Sequence, residues 1–386
     1  MKDLAIAPSV LYIGVDDKTI DLFESQYVVP NGVSYNSYVI LDEKIAVMDT
    51  VDNRATDAFF KNLEEALNGR TPDYLVVHHM EPDHAANIQR AMEKYPQMKV
   101  VGNAKTFAMM TQFFDVDMQK RAVTVKEGDK LNLGSHELTF YMAPMVHWPE
   151  VMVSYESKEK ILFSADGFGK FGALDTQEDW ACEARRYYFN IVGKYGAQVQ
   201  ALLKKAAGLD IQIICPLHGP VLKDNLSYYI GLYDTWSRYE PESKGIVIAF
   251  ASIHGHTRYA AEQLAKMLEQ KGEPKVVLTD LTRCDPAEAL EDAFRYDRLV
   301  LASATYDAGL FPCMEDFLSH LKAKNYQKRK VALIENGSWA PMAGKLMRAA
   351  LESMKDITIV EPTVTIRSAV KESTLKELDA LADAML

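Results

Sequence analysis

The sequence predicts an α/β protein in two parts, a mixed layered α/β domain followed by a doubly wound parallel sheet. Three observations carry this. A chain of 386 residues exceeds what one hydrophobic core ordinarily serves, so two domains are expected. In the first half, helical patterns interleave with both hairpins and isolated strands. In the second half a strand pattern is followed by a helix pattern five times in a row. The polar stretch Arg238-Tyr-Glu-Pro-Glu-Ser-Lys-Gly245 separates them, which gives domains 1–240 and 245–386.

The first half opens with short apolar runs that read as strands. Tyr35–Leu41 and Lys44–Asp49 flank the polar Asp42-Glu43 as a hairpin would. Ala55–Leu67 reads as a helix, Tyr74–Val77 as a strand and Ala85–Tyr95 as a helix. Lys99–Val101 and Thr106–Phe114 repeat that alternation. Strands follow at Glu137–Met142, Val151–Tyr155 and Lys160–Ser164. Gln198–Ala207 is helical, Ile211–Ile214 a strand and Ser227–Tyr239 a helix. The strands of the second half are Gly245–Phe250, Lys275–Thr279, Arg298–Ala302, Lys330–Glu335 and a short one at Ile357–Ile359. Its helices are Thr257–Lys271, Pro286–Phe294, Cys313–Ala323, Pro341–Met354 and Ser373–Met385.

Composition excludes several classes. The net charge of −11 repels a phosphate backbone, so nucleic acid is not an expected partner. The start MKDLAIAPSVLYIGVDD lacks a signal-peptide profile and no apolar run has transmembrane length. A soluble, cytoplasmic protein without membrane attachment is expected. Cys182, Cys215, Cys284 and Cys313 are scattered with no C-x-x-C pair, which argues for reduced, mostly buried thiols.

Chemistry concentrates in His79-Met80-Glu81-Pro82-Asp83-His84, directly after a strand. Buried charge is costly unless paired or metal-bound, so this density points to metal. Any one of these residues could be a surface charge, and Asp83 could cap the helix at Ala85. His147, Asp166 and His218 each lie past the carboxyl end of a predicted strand. Singly, His147 or His218 would more often be a hydrogen-bonded core histidine. With the first run they complete a dinuclear site, provided their strands share a sheet edge. His78 reads as a supporting or surface group, and His136 and His320 as exposed.

The pattern His-x-Glu-x-Asp-His, followed by spaced His, Asp and His, resembles the metallo-β-lactamase-like core of the flavodiiron proteins. The resemblance covers essentially the whole chain and includes Ser34-Tyr-Asn-Ser-Tyr38 and His147-Trp-Pro149. It implies an αββα sandwich followed by a flavodoxin-like domain. The hydrolases of that superfamily typically carry His where this chain has Glu81. A nitrogen-rich set suits zinc, whereas a hard carboxylate favours iron. By resemblance His79, Glu81 and His147 hold one iron, Asp83, His84 and His218 the other, and Asp166 bridges them. Tyr35 and Tyr38 read as packing. Glu81 and Trp148 lie at the ligand edge, where they would shorten a path from a flavin. In Leu22-Phe-Glu-Ser-Gln-Tyr27 some relatives place a non-ligand histidine over the pocket, and this chain has none.

In the second half three loops follow parallel strands. The first is Ser252, Ile253, His254, Gly255, His256 and Thr257 at a helix N-terminus, an anion cradle without lysine. The second holds Ser303, Ala304, Thr305, Tyr306, Asp307 and Gly309, and the third Asn336, Gly337, Ser338 and Trp339. Such loops meet at the switch point of a doubly wound sheet and look like an FMN site. No G-x-G-x-x-G follows the first strand, which disfavours a dinucleotide. His254, and Trp339-Ala-Pro341 without extra glycines, depart from the family's commonest wording.

The resemblance implies an oxidoreductase that reduces dioxygen to water, nitric oxide to nitrous oxide, or both. Electrons would come through FMN from an external donor such as a rubredoxin or a flavin reductase. A head-to-tail homodimer, or a dimer of dimers, would bring one subunit's FMN to the other's irons. Two other readings are a metal-dependent hydrolase with an appended flavodoxin-like module and a non-catalytic flavin electron carrier. Glu81 opposes the first, and the intact set of seven ligands opposes the second.

Overall fold

A computed structural model describes residues 5–118 and 120–386. Met1–Leu4, the first residues of the expected leaderless start, lie outside the described residues. The chain divides into two compact units. One runs through Tyr188 and includes Ala197–Tyr233; the other comprises Phe189–Gly196 and Asp234–Leu386.

Two large sheets form the body of the first unit, with two two-stranded sheets beside them. The larger has seven strands in the order Ala5–Ala7, Val10–Tyr12, Tyr38–Ile40, Ala46–Met48, Tyr74–Val76, Lys99–Gly102 and Ala122–Thr124. The smaller has five, Lys130–Asn132, Glu137–Met142, Met152–Glu156, Ile161–Phe163 and Ile213–Cys215. The predicted hairpin pairs Tyr38 with Met48 and Ile40 with Ala46. Ala46–Met48 then pairs parallel with Tyr74–Val76, so Val47 lies beside Leu75.

Alternation along each strand decides what lies between the sheets. Ile40, Met48, Val76 and Val101 form one core with Phe140, Met152, Ile161 and Phe163 from the other sheet. Val47 and Leu75 point to the opposite face and are also buried. Strands buried on both faces read as continuous apolar runs, as these do. Helix Thr56–Leu67 buries Phe59, Leu63 and Leu67, one stripe at four-residue spacing.

Three differences from the sequence reading have physical reasons. The helix expected at Ala85–Tyr95 is two, Pro82–Ala85 and Ile88–Lys94. Between them Asn87 donates its side-chain N–H to the carbonyl of Val51 at 2.8 Å, and Pro82 sits in the first turn, where it lacks a needed donor least. His136 is buried rather than exposed. Its Nε2 is 2.7 Å from Ser9 Oγ, within hydrogen-bond distance, and its Nδ1 lies 3.0 Å from the Glu156 carboxylate, so the buried ring has polar company on both sides. Helix Trp180–Tyr187, capped by Asp179, has no predicted counterpart, because its buried Arg185 and Arg186 blur the apolar stripe. His320 is exposed as expected. Of the cysteines only Cys215 is fully buried; the other three are half-buried.

The second unit is a parallel sheet in the order Val276–Asp280, Ser243–Ala251, Tyr296–Tyr306, Arg329–Asn336, Ile357–Ile366. The first strand in sequence is thus second in space, the doubly wound order of flavodoxins. The last strand is longer than predicted. It tolerates Pro362 because it lies at the sheet edge and its register shifts between Ala332 and Ile334. Helices His256–Gln270 and Glu372–Met385 close one face through Leu264, Leu268, Leu378 and Leu381. Residues 189–196 also belong here: Phe189 stacks on Phe294 at 4.2 Å between ring centroids.

Candidate metal centre and anion-binding loops

The seven residues expected as ligands come together, from both sheets rather than from one. Tyr74–Val76 of the larger sheet leads into His79, Glu81, Asp83 and His84; the smaller sheet supplies His147, Asp166 and His218. Ile161–Phe163 and Ile213–Cys215 are parallel neighbours, with Phe163 beside Cys215, so Asp166 and His218 leave from the same sheet end. Gly219, at φ +80°, turns the chain after His218 against Lys170; a Cβ there would lie 2.7 Å from Lys170 Cγ.

Two groups of donor atoms result: His79, Glu81, His147 and Asp166, and Asp83, His84 and His218. In the first, Glu81 Oε2 lies 3.2 Å from His79 Nε2 and 2.9 Å from His147 Nε2. In the second, Asp83 Oδ2 lies 3.3 Å from His84 Nε2 and 3.1 Å from His218 Nε2. Asp166 spans both. Its Oδ2 is 3.3 Å from His79 Nε2 and 3.2 Å from His147 Nε2, while its Oδ1 is 3.2 Å from His84 Nε2 and 3.9 Å from His218 Nε2.

Asp83 does not cap a helix. Both of its carboxylate oxygens, and both of Asp166, are buried without a hydrogen-bond donor. Nitrogens also face nitrogens, 3.3 Å apart for His79 and His147 and 3.1 Å for His84 and His218. Donor atoms about 3 Å apart are what two ligands about 2.1 Å from one ion present. Orphaned buried carboxylates beside facing imidazoles fit a cation at each group.

In the metal-free protein these groups polarise one another. Burial alone would lower His79 and His147, but the carboxylates outweigh it. Asp166, Glu150 and Glu81 hold His79 well above its ordinary value, and Asp166 and Glu81 raise His147 to about 9. His84 is raised by Asp83 and Asp166 against the same burial. Glu81 and Asp166 are depressed in turn by these imidazoles.

Further residues support the ligands. Asp49 Oδ1 accepts the backbone N–H of His78 at 2.7 Å, and Asp49 Oδ2 lies 2.5 Å from His78 Nδ1. His78 Nε2 reaches Ser154 Oγ at 2.8 Å, so His78 is a buried support. His79 Nδ1–H donates to Glu150 Oε1 at 2.8 Å, and the Met80 N–H donates to the same oxygen at 2.8 Å. His218 Nδ1–H donates to the Ser34 carbonyl at 2.7 Å. Tyr38 is packing, its hydroxyl donating to the Pro216 carbonyl at 2.6 Å. Trp148 stands edge-on to His79, with centroids 5.2 Å apart.

The Leu22–Phe23 and Tyr27–Val28 hairpin lacks a histidine but reaches the site with other residues. Phe23 packs on the His218 ring at 5.3 Å. Glu24 and Ser25 at its tip both have positive φ. The Glu24 residue is exposed, yet chiefly the protein packed about its carboxyl, and also the adjacent Glu81, push that group up to about 7. Sequence reading missed Asp49, Glu150, Phe23 and Glu24. The closeness of Glu150 to His147 was a signal, and Phe23 and Glu24 lie in the stretch 22–27 that the resemblance sets over the pocket, although neither residue was singled out; Asp49 is a single residue far along the chain from any expected ligand.

In the second unit the three predicted loops follow adjacent parallel strands. Ser252 Oγ accepts the N–H of Gly255, which at φ +90° turns the chain into helix His256–Gln270. A Cβ on Gly255 would meet nothing within 4 Å, so the space before this N-terminus is open. Thr257 is buried and its Oγ1 accepts from Asn336 Nδ2 at 3.4 Å, which ties the first loop to the third. Thr305 Oγ1 accepts the N–H groups of Met342 and Ala343, and so holds a neighbouring helix start rather than facing the cradle. Ile253, Tyr306 and Trp339 are exposed, Trp339 to 82%, on an edge where large apolar groups gain nothing from water. An open helix N-terminus beside exposed aromatics fits a phosphorylated, planar group such as FMN.

Comparison with known proteins agrees with this construction. Residues 33–219 match a family described as the ODP family beta lactamase, and residues 247–375 match a flavodoxin domain. The chain is 25% identical to rubredoxin oxygen:oxidoreductase from Desulfovibrio gigas, with a TM-score of 0.92 over 99% of this chain and 97% of that one. A flavodiiron protein from Giardia intestinalis shares the fold at 23% identity and a TM-score of 0.92, over 100% of this chain and 96% of that one. An anaerobic nitric oxide reductase flavorubredoxin of Vibrio vulnificus is 28% identical over 86% of this chain and 69% of its own length. A β-lactamase-like domain with this paired donor set, joined to a flavodoxin domain, defines a class of two-cofactor oxidoreductases. The chain belongs to the flavodiiron proteins, whose cofactors are a non-haem diiron pair and FMN. Among the described residues no helix is long and apolar enough to cross a membrane.

Proposed function

We propose that the protein is a terminal reductase of dioxygen, nitric oxide or both, with the diiron chemistry in residues 1–240 and FMN in 245–386. The observation that carries this is Asp166, whose two oxygens face two matched sets of one carboxylate and two imidazoles. His79, Glu81 and His147 would hold one iron, Asp83, His84 and His218 the other, and Asp166 both. Loaded with both cofactors and fully reduced, the protein carries two electrons on iron and two on FMN. Four electrons and four protons convert dioxygen to two waters; two electrons and two protons convert two nitric oxides to nitrous oxide and water.

The chain's own residues bind, orient and shield. Glu150 and the Ser34 carbonyl fix the rings of His79 and His218 by their Nδ1–H groups. Phe23, Tyr187 and Phe171 wall the His218 side and exclude water. Ser252, Gly255 and the start of helix His256–Gln270 would hold the flavin phosphate, and Tyr306 and Trp339 would cover its ring. Electrons would arrive from an external donor of the rubredoxin or flavin-reductase kind, and a head-to-tail homodimer would join the two cofactors.

The test is anaerobic reduction followed by separate challenges with dioxygen and nitric oxide, with product analysis. About two irons and one FMN per chain are expected from the two donor groups and the cradle. Stoichiometric zinc without redox activity in iron-supplemented protein would sink the reading.

A further inference from the structure

The two donor groups are matched at first contact and unmatched behind it. Each has one terminal carboxylate and two imidazoles, and they share Asp166. Each also has a further carboxyl nearby, Glu24 beside Glu81 and Asp52 beside Asp83. Their imidazoles are backed differently. His79 Nδ1–H donates to a carboxylate, Glu150, at 2.8 Å. The corresponding bond from His218 goes to a neutral carbonyl, that of Ser34, at 2.7 Å. His84 Nδ1 is buried with no partner.

Glu150 is built for this contact. It is fully buried, and Oε1 accepts from both His79 Nδ1 and the Met80 N–H. Oε2 has no hydrogen-bond donor, so the carboxylate's charge is compensated chiefly through His79. A carboxylate on the far nitrogen of a metal-bound imidazole raises that ligand's basicity. In a buried site its negative charge also favours the more highly charged state of the ion.

Resting on the diiron reading above, we propose that Glu150 is a positioning residue that makes the two metal positions electronically unequal. It acts through His79 to give the ion held by His79, Glu81 and His147 the lower reduction potential. The ion held by Asp83, His84 and His218 then accepts the first electron, and the one on the His79 side the second.

The experiment is a reductive titration of iron-57-loaded protein with dithionite, one electron per iron, followed by Mössbauer spectroscopy and EPR. In the unaltered protein two separated one-electron steps are expected, with a populated half-reduced state. Glu150→Gln keeps shape and a hydrogen-bond acceptor but removes charge. It should retain both irons and reduce the comproportionation constant at least tenfold, which narrows the separation of the two potentials by 59 mV. Glu150→Asp keeps the charge and should restore most of the separation; it also decides the matter if Glu150→Gln loses iron. An unaltered separation in an iron-replete Glu150→Gln protein overturns the proposal. So does a Glu150→Asp protein that retains both irons but behaves as though uncharged. If the unaltered protein shows no magnetically coupled iron pair, the diiron reading fails first and takes this one with it.

Discussion

At Asp166 two oxygens of one side chain face two different donor groups. On the proposed ligand set, removing it would strip a ligand from both and expose two cations to each other's repulsion, whereas removing His147 would affect one. Asp166→Ala should therefore abolish magnetic coupling in the Mössbauer spectrum, and His147→Ala should leave an altered but coupled pair. Retained coupling in the Asp166 variant would deny it the bridging role. The same residues set a pH dependence. In metal-free protein His147 is raised from its ordinary value to about 9, and His79 and His84 are raised too. For His147 the raised value contributes stability that is complete below about 6.5 and disappears as pH rises through about 9. Metal binding needs the neutral ring, so it must expel these protons. Zinc uptake by the metal-free protein, followed calorimetrically in buffers of differing ionisation enthalpy, should release more than one proton at pH 7 and strengthen toward pH 9. Uptake without proton release would show that the imidazoles are already neutral. The seven candidate ligands that the fold brings together were legible because their charges lie at strand ends, where a core has no use for them. Asp49 was not, and Glu150 offered only its nearness to His147, because a lone carboxylate does not reveal its partner until packing brings it under an imidazole.

The elements were legible wherever burial follows one period. Thr56–Leu67 and the five strands of the parallel sheet each bury a regular set, and they were found to within a few residues except at Ile357–Ile366. Legibility failed where side chains compete with the backbone. Asn87 divides one expected helix, and the buried arginines conceal another. Short strands before Tyr35 were expected only as a group, since two- and three-residue strands hold too few residues to show alternation. The ligand loop itself is an irregular segment clamped from below. Asp49 accepts the His78 N–H and holds the His78 ring, which reaches across to Ser154 in the other sheet. Asp49→Ala should leave buried donors without an acceptor, at a cost of about 1–3 kcal/mol each. A lower thermal midpoint and reduced iron occupancy are expected together. Full iron occupancy in a destabilised Asp49 variant would separate the clamp from the metal site.

At the scale of the whole molecule, the proposed route for electrons crosses between subunits, and this can be tested without a structure of the assembly. Ser252→Asp with His256→Asp places negative charge in the loop that would receive the flavin phosphate, at positions exposed enough to accept it. That variant should keep its irons and lack FMN. His79→Ala with His84→Ala removes one imidazole from each donor group and should keep FMN while lacking iron. Each variant alone should fail to reduce dioxygen or nitric oxide. In a head-to-tail mixed dimer, one junction pairs the intact flavin domain of one subunit with the intact metal site of the other, and the second junction has neither. Dissociating and reassembling the two variants together should restore turnover, up to one working junction per mixed dimer. Were transfer confined to a single chain, every chain in the mixture would still lack a cofactor and no turnover would return. Mass spectrometry of the reassembled dimers reports whether exchange took place. Exchange without recovered gas reduction rejects the cross-subunit route, and leaves the assignment of iron to one domain and flavin to the other to stand on metal and flavin content.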